Sequence, residues 1–277
     1  MRQIVLFGIF LVGMSNMAFS QSADIQKPIT ITPNVAIQNI DWFERSTVGK
    51  VGLQVQFQPL PKINLTIDGS VFKSIGNAEV LSQNPNTFST ADMSGGKFSG
   101  NPQIGSSGFT PTAGGIPKTI YQGGFVNIDA GIPIKLGDSS KTTIEPFVGV
   151  EGKIWSRSAD YGTEGNPLVF EEKYKFLSPA LGAKLNYNAK SKVKLSLRVS
   201  VSYPVVAKVK TDEKNLAFPN KEFDLTKMLS PSVELGAKIK KVTLKLRYER
   251  INIGAVDSLR GASPAANVTG VSIGYDF

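Results

Sequence analysis

Neither cysteine nor histidine occurs anywhere in the 277 residues. Without cysteine there is no disulfide framework, so backbone hydrogen bonds and packing must hold the fold together. Without histidine, the commonest general base and the commonest metal ligand are missing at once. Long apolar runs are lacking as well. Past Asp24 no stretch approaches 18 consecutive apolar residues, so no helix of the mature chain is expected to cross a membrane. The net charge of +9 comes with no recognition-helix pattern and no basic-aromatic motif, so nucleic acid is not an expected partner.

The first residues, MRQIVLFGIFLVGMSNMAFSQS, carry Arg2 as their only charge and a short apolar core from Ile4 to Val12. Ala18 and Ser20 occupy the −3 and −1 positions of a cut before Gln21. This is the layout of a secretory signal peptide over residues 1–20, too short to span a bilayer, followed by one mature domain over 21–277. Removal of Arg2 lowers the net charge from +9 to +8.

Most of the mature chain alternates. In VKLSLRVSVSYPVV (193–206), Val193, Leu195, Leu197, Val199, Val201, Tyr203 and Val205 fall on one side of an extended strand, with Lys194, Ser196, Arg198, Ser200 and Ser202 on the other. Similar two-faced runs recur around 51–58, 63–71, 126–135, 144–154, 177–187, 233–240, 242–249 and 270–277, and no helical period competes with them. The fold class is therefore all-β.

The connections predict how the strands are joined. PLPK (59–62), GDSSK (137–141), NAKSK (188–192) and Lys240-Lys241 are short, whereas 76–118, 158–173, 209–227 and 254–266 are long and irregular, in strict alternation. Tight turns at one end and long loops at the other describe an up-and-down antiparallel barrel. Nine strands follow residue 47. A tenth is needed to bring the chain to the correct side, and 29–44 supplies it, although its alternation slips between Ile37 and Ile40. Ten strands is the expected count, with eight plus a separately packed hairpin as the alternative.

Three features turn the apolar face toward lipid. Apolar runs have the depth of tilted membrane strands. Gly52, Gly131, Gly149, Gly182 and Gly236 sit on the polar face, where a narrow interior leaves little room. Trp42, Phe57, Tyr187, Tyr203, Tyr248 and Phe277 gather at strand ends, as interfacial girdles require. The polar face then lines the interior with Asp129, Glu145, Glu151, Glu234 and Glu249 against Lys153, Arg157, Lys184, Arg198, Lys238, Lys245 and Arg247. Across the Lys240-Lys241 corner, Glu234 is expected opposite Arg247. Buried charges need partners, so an interlocked network filling the lumen is expected, with a cationic passage as the alternative.

The chain ends GVSIGYDF. Tyr275 and the terminal Phe277 resemble the aromatic-x-aromatic signal recognised by the barrel-assembly machinery of outer membranes, with Ser272 where that pattern has glycine. Together with the export signal, this identifies the chain as similar to the small outer-membrane β-barrels of Gram-negative bacteria, and the run into Gln21 looks like those of Bacteroidetes barrel families. The resemblance implies outer-membrane lipid and the assembly machinery as partners. Barrel proteases of the omptin type and barrel phospholipases, deacylases and palmitoyltransferases need a histidine, which this chain lacks. No G-x-S-x-G or S-x-x-K context offers another nucleophile. No cofactor or metal is expected. Asp160, Glu164, Glu171 and Glu172 fit no calcium loop and are expected in a solvated turn. Lys62, Lys135, Lys141, Lys190, Lys192, Lys240 and Lys241 are expected at periplasmic turns and strand ends as solubilising surface lysines, with a basic rim toward lipid phosphates or an acidic periplasmic partner as the alternative. The function expected is that of a non-enzymatic surface barrel, acting as an adhesin, scaffold or assembly subunit. A narrow, weakly anion-preferring pore or small-solute transporter is the alternative.

Overall fold

Alternating side chains give an extended chain two unlike faces, and the described structure is built from such chain. The computed structural model describes residues 29–42, 44–60, 62–76, 79–80, 118–137, 141–160, 169–190, 193–213, 221–252 and 265–277. Its strands are β1 (Thr30–Asp41), β2 (Glu44–Leu60), β3 (Ile63–Ser74), β4 (Glu79–Val80), β5 (Lys118–Gly131), β6 (Ile134–Leu136), β7 (Thr142–Asp160), β8 (Val169–Lys190), β9 (Val193–Ser202), β10 (Val206–Glu213), β11 (Lys221–Asp224), β12 (Ser230–Ile239), β13 (Val242–Asn252) and β14 (Ala265–Tyr275).

Ten of them, β1, β2, β3, β5, β7, β8, β9, β12, β13 and β14, pair antiparallel in that order, and β14 pairs back onto β1. The ten-stranded ring is closed, so its strands have no free edge within the ring and their backbone is satisfied without water. The expected count of ten holds, and the tenth strand is β1. The other four elements extend this ring. β6 resumes β5 past Ile132-Pro133, both pairing with β7. β10 resumes β9 past Tyr203-Pro204-Val205, where Tyr203 and Val205 still donate to Pro179 and Leu177 of β8 at 3.1 and 2.8 Å. β11 pairs with β10 ahead of β12, and β4 caps β2. At the Lys240-Lys241 hairpin, Lys240 takes a positive φ of 57°, the left-handed conformation used by two-residue hairpins of the primed types.

Side-chain polarity divides the barrel by height. Over its lower part the outward face is apolar: Val148, Leu181, Ile37 and Val51 are more than half exposed, as lipid contact requires. On β8 this band runs from Tyr187 to Leu177, a rise of about 25 Å for ten residues of tilted strand. Above it the pattern inverts while the period of two persists. On β8, Tyr174 and Phe176 turn inward and are buried, while Lys173 and Lys175 face out. The same inversion brings Ile40 and Trp42 of the β1 end, Phe72, Tyr121, Trp155, Val209, Ile251 and Val268 into one cluster. A barrel wall standing in water must be polar outside and apolar inside, so the inversion marks the outer boundary of the membrane. This is the architecture of an outer-membrane β-barrel.

The inversion corrects several expectations. The alternation of 29–44 does not slip: β1 pairs with β2 residue for residue from Thr30 to Asp41, and Ile40 faces the interior core. Trp42 is no girdle residue; it is 5% exposed, inside the barrel. The described parts of 158–173 and most of those of 209–227 are strand and not irregular connection, since β7 reaches Asp160, β8 starts at Val169, and β10 and β11 pair together. Most of 76–118 lies outside the described residues, as do residues 1–20, expected to be a signal peptide, and Glu164.

Candidate functional site

The interior is stacked in layers, and neighbouring strands bring each layer together. At the end shared by the β8–β9 and β12–β13 turns lies a polar cavity of about 410 Å3. Here Asp129 of β5 receives Arg198 at 3.0 Å and stands 3.6 Å from Lys184, which also reaches Glu145 at 3.3 Å. Asn64 donates to Glu145 at 2.5 Å. Lys184 and Arg198 both lie over the Phe147 ring, 5.0 and 4.7 Å from its centre. That ring has room because Gly182 faces it: a Cβ there would sit 2.6 Å from Phe147 Cζ and collide with the Val199 carbonyl.

Glu234 stands opposite Arg247 in the β12–β13 register, as expected, but its ion pair is with Lys245 at 3.1 Å. Arg247 turns instead to Glu249 at 3.0 Å. Lys153 sits between Glu151, at 2.7 Å, and Glu249, with which it also pairs. Lys153, Glu151 and Glu249 are all under a tenth exposed. Phe125 is flanked by Lys50 at 4.5 Å and Arg247 at 5.1 Å from its ring centre. This charged layer crosses the barrel at mid-height.

Above it stands the aromatic core. Trp42 meets Tyr174 edge-on at 4.8 Å and Trp155 at 6.2 Å, and Trp155 packs on Phe176 at 5.3 Å. The void left between charged layer and core is about 60 Å3, room for a few waters only. Arg157 is 1% exposed on the inner face of β7 and bonds Glu172 at 3.2 Å, above the core. Glu172, expected in a solvated turn, therefore points inward.

Thus Asp129, Glu145, Lys184 and Arg198 form one cluster, Glu151, Lys153, Arg247 and Glu249 a second, Glu234 and Lys245 a pair, and Arg157 stands apart. Sequence reasoning missed Lys50, Phe125 and Phe147. Each has the inward parity of its strand, so the phase of alternation was the signal that locates them. At the lower rim Asp276 pairs with Lys238 and accepts from Thr32 at 2.7 Å. Tyr275 and Phe277 face outward, ring centres 5.1 Å apart, and the Phe277 amide donates to Ile31 at 3.0 Å. Lys62, Lys135, Lys141, Lys240 and Lys241 are exposed. On the outer wall, a hydrogen bond between Lys208 and Glu222 raises the lysine's pKa and lowers the carboxyl's. Among the described residues no cluster of acidic side chains is arranged to hold a metal ion.

No family model matches the chain, and no curated protein matches it. Solved structures do. The outer membrane protease OmpT from Escherichia coli is 11% identical with a TM-score of 0.47, over 92% of this chain and 100% of that one. A major outer membrane protein from Thermus thermophilus is 8% identical with a TM-score of 0.41, over 91% and 100%. The translocator domain of the autotransporter NalP from Neisseria meningitidis is 12% identical with a TM-score of 0.40, over 99% and 97%.

Proposed function

We propose that this is a non-catalytic outer-membrane barrel with a closed interior, acting through its water-exposed outer end as a surface interaction protein or assembly subunit. The observation that carries this reading is the pairing of two unlike layers across one narrow lumen, the Lys153–Glu249 layer and the Trp42 core above it. Ionic groups that are mutually paired and buried resist rearrangement, because moving one strands the other. The vestibule cations Lys184 and Arg198 support the alternative, a narrow anion-preferring pore or solute transporter, but such a route must pass both layers.

Planar-bilayer recording tests the choice. The purified, folded barrel is expected to insert without conductance steps. Steady unitary steps with anion selectivity would overturn the closed reading, and hydrolysis of lipid or peptide by the pure protein would overturn the non-catalytic one.

The outward Tyr275 and Phe277 serve, in this reading, as the assembly signal. Truncation of Phe277 to alanine is expected to reduce accumulation in the outer membrane severalfold while leaving refolding in detergent unchanged. An equal loss in both settings would make Phe277 a stability residue and nothing more.

A further inference from the structure

The outer wall just above the lipid band carries an arrangement that neither the closed lumen nor the need for a wet surface explains. In the β8–β10 register, Lys175 lies directly opposite Lys208, and Lys173 opposite Lys210. All four face outward, since Tyr174, Phe176, Ala207 and Val209 between them are buried. Like charges directly across a ladder destabilise the pairing.

Local carboxylates answer only part of this charge. Lys208 pairs with Glu222 at 2.6 Å and Lys173 with Glu171 at 3.4 Å. Lys175 and Lys210 have no ion pair of their own among the described residues: Glu222 lies opposite Lys210 and lends both lysines some of its field, but its bond goes to Lys208, and Asp224 lies opposite Lys208. Lys175 and Lys210 are diagonal neighbours, so their backbones stand about 7–8 Å apart. Two flexible ammonium stems at that spacing converge on one tetrahedral anion. Their height selects its source. Leu177 and Val206, 44% and 38% exposed, are the last apolar residues below them, and Ile154, opposite Lys175, is 59% exposed. The ammonium groups therefore stand at the level of the outer-leaflet headgroups.

We propose that Lys175 and Lys210, framed by Lys173 and Lys208, bind a phosphate group of a phosphorylated outer-leaflet glycolipid. Four lysines face the three carboxylates Glu171, Glu222 and Asp224, so a phosphate brings one to two negative charges to a patch still short of them, and a lipid carries it at the right height. The site stands whether or not the interior conducts.

The test is titration of the detergent-folded barrel with diphosphoryl lipid A and with its fully dephosphorylated counterpart, counting bound lipid by native mass spectrometry. K175Q/K210Q is expected to weaken binding of the phosphorylated lipid about tenfold. A K62Q/K240Q control at the opposite rim is expected to leave it unchanged, with heat-modifiable gel mobility showing that both variants fold. Equal binding of the dephosphorylated lipid would overturn the proposal, as would unchanged binding by K175Q/K210Q. Full displacement by inorganic phosphate at matched concentration would also overturn it, because the site would then take a free anion rather than a lipid.

Discussion

Replacing Glu249 by leucine is expected to destabilise the barrel by about 3–5 kcal/mol, the usual consequence of leaving a buried charge without its partner. Glu249 answers both Lys153 and Arg247 in the mid-height layer, and Arg247 has no other ion pair among the described residues. The void beside this layer has room for a few waters only. Lys153→Met alone is expected to be damaging for the complementary reason. The two substitutions together should do less harm than their sum, with a coupling of about 2 kcal/mol. The measurement is the urea midpoint of detergent-folded protein, followed by band shift and tryptophan emission. Strict additivity would show that the layer is wet and its charges independent. Asp41→Asn provides the contrast: its bond to Arg45, 2.7 Å long, lies where the two side chains are 32% and 53% exposed. There the loss should stay under about 1 kcal/mol.

The second large effect is steric. Gly182→Val places a side chain where the Phe147 ring and the Val199 carbonyl already are, the ring only 2.6 Å from the new Cβ. The ring can retreat only by giving up its place beneath Lys184 and Arg198. The carbonyl can retreat only by separating β8 from β9. A cost of about 3 kcal/mol or more is expected from such overpacking, read as loss of the heat-modifiable band after refolding. Gly69→Ala supplies the control, because nothing lies within 4 Å of a Cβ built there. It should fold as well as the parent. Equal folding of both variants would mean that the interior is looser than the Phe147–Gly182 contact implies.

Alternation located the lipid face of strand after strand because hydrocarbon imposes one rule on every outward residue: be apolar. The rule fails where the membrane stops. EEKYKF at 171–176 keeps a perfect period of two, but its apolar members have moved to the other parity, and a search for outward apolar residues sees only a loop. For the same reason Ile40 looked like a slip in register and Trp42 like an interfacial anchor. Both are ordinary core residues of the part that stands in water. Lumen residues were recognisable as a set, because parity assigns them. Their partners were not. Glu234 lies opposite Arg247 yet bonds Lys245, a choice set by side-chain reach and by the competing demand of Glu249. The cross-strand lysine pairs were out of reach for a simpler reason: β10 had to be a strand before Lys208 had an opposite number.

The β1–β14 seam sets the order of events during folding. Hairpins such as β12–β13 close across two residues, whereas the contact from Thr32 to Asp276 joins positions 244 apart in sequence. The entropic cost of joining chain ends grows with their separation, so local hairpins zip early and the seam comes late. Until it does, the first and last strands are bare edges, open to the wrong neighbour. The bonds of Asp276 to Thr32 and Lys238 lie where that wait ends, on the residue between the two terminal aromatics. Loss of Asp276 should lengthen the interval before closure more than it weakens the finished wall, so the harm would appear first as aggregate during refolding.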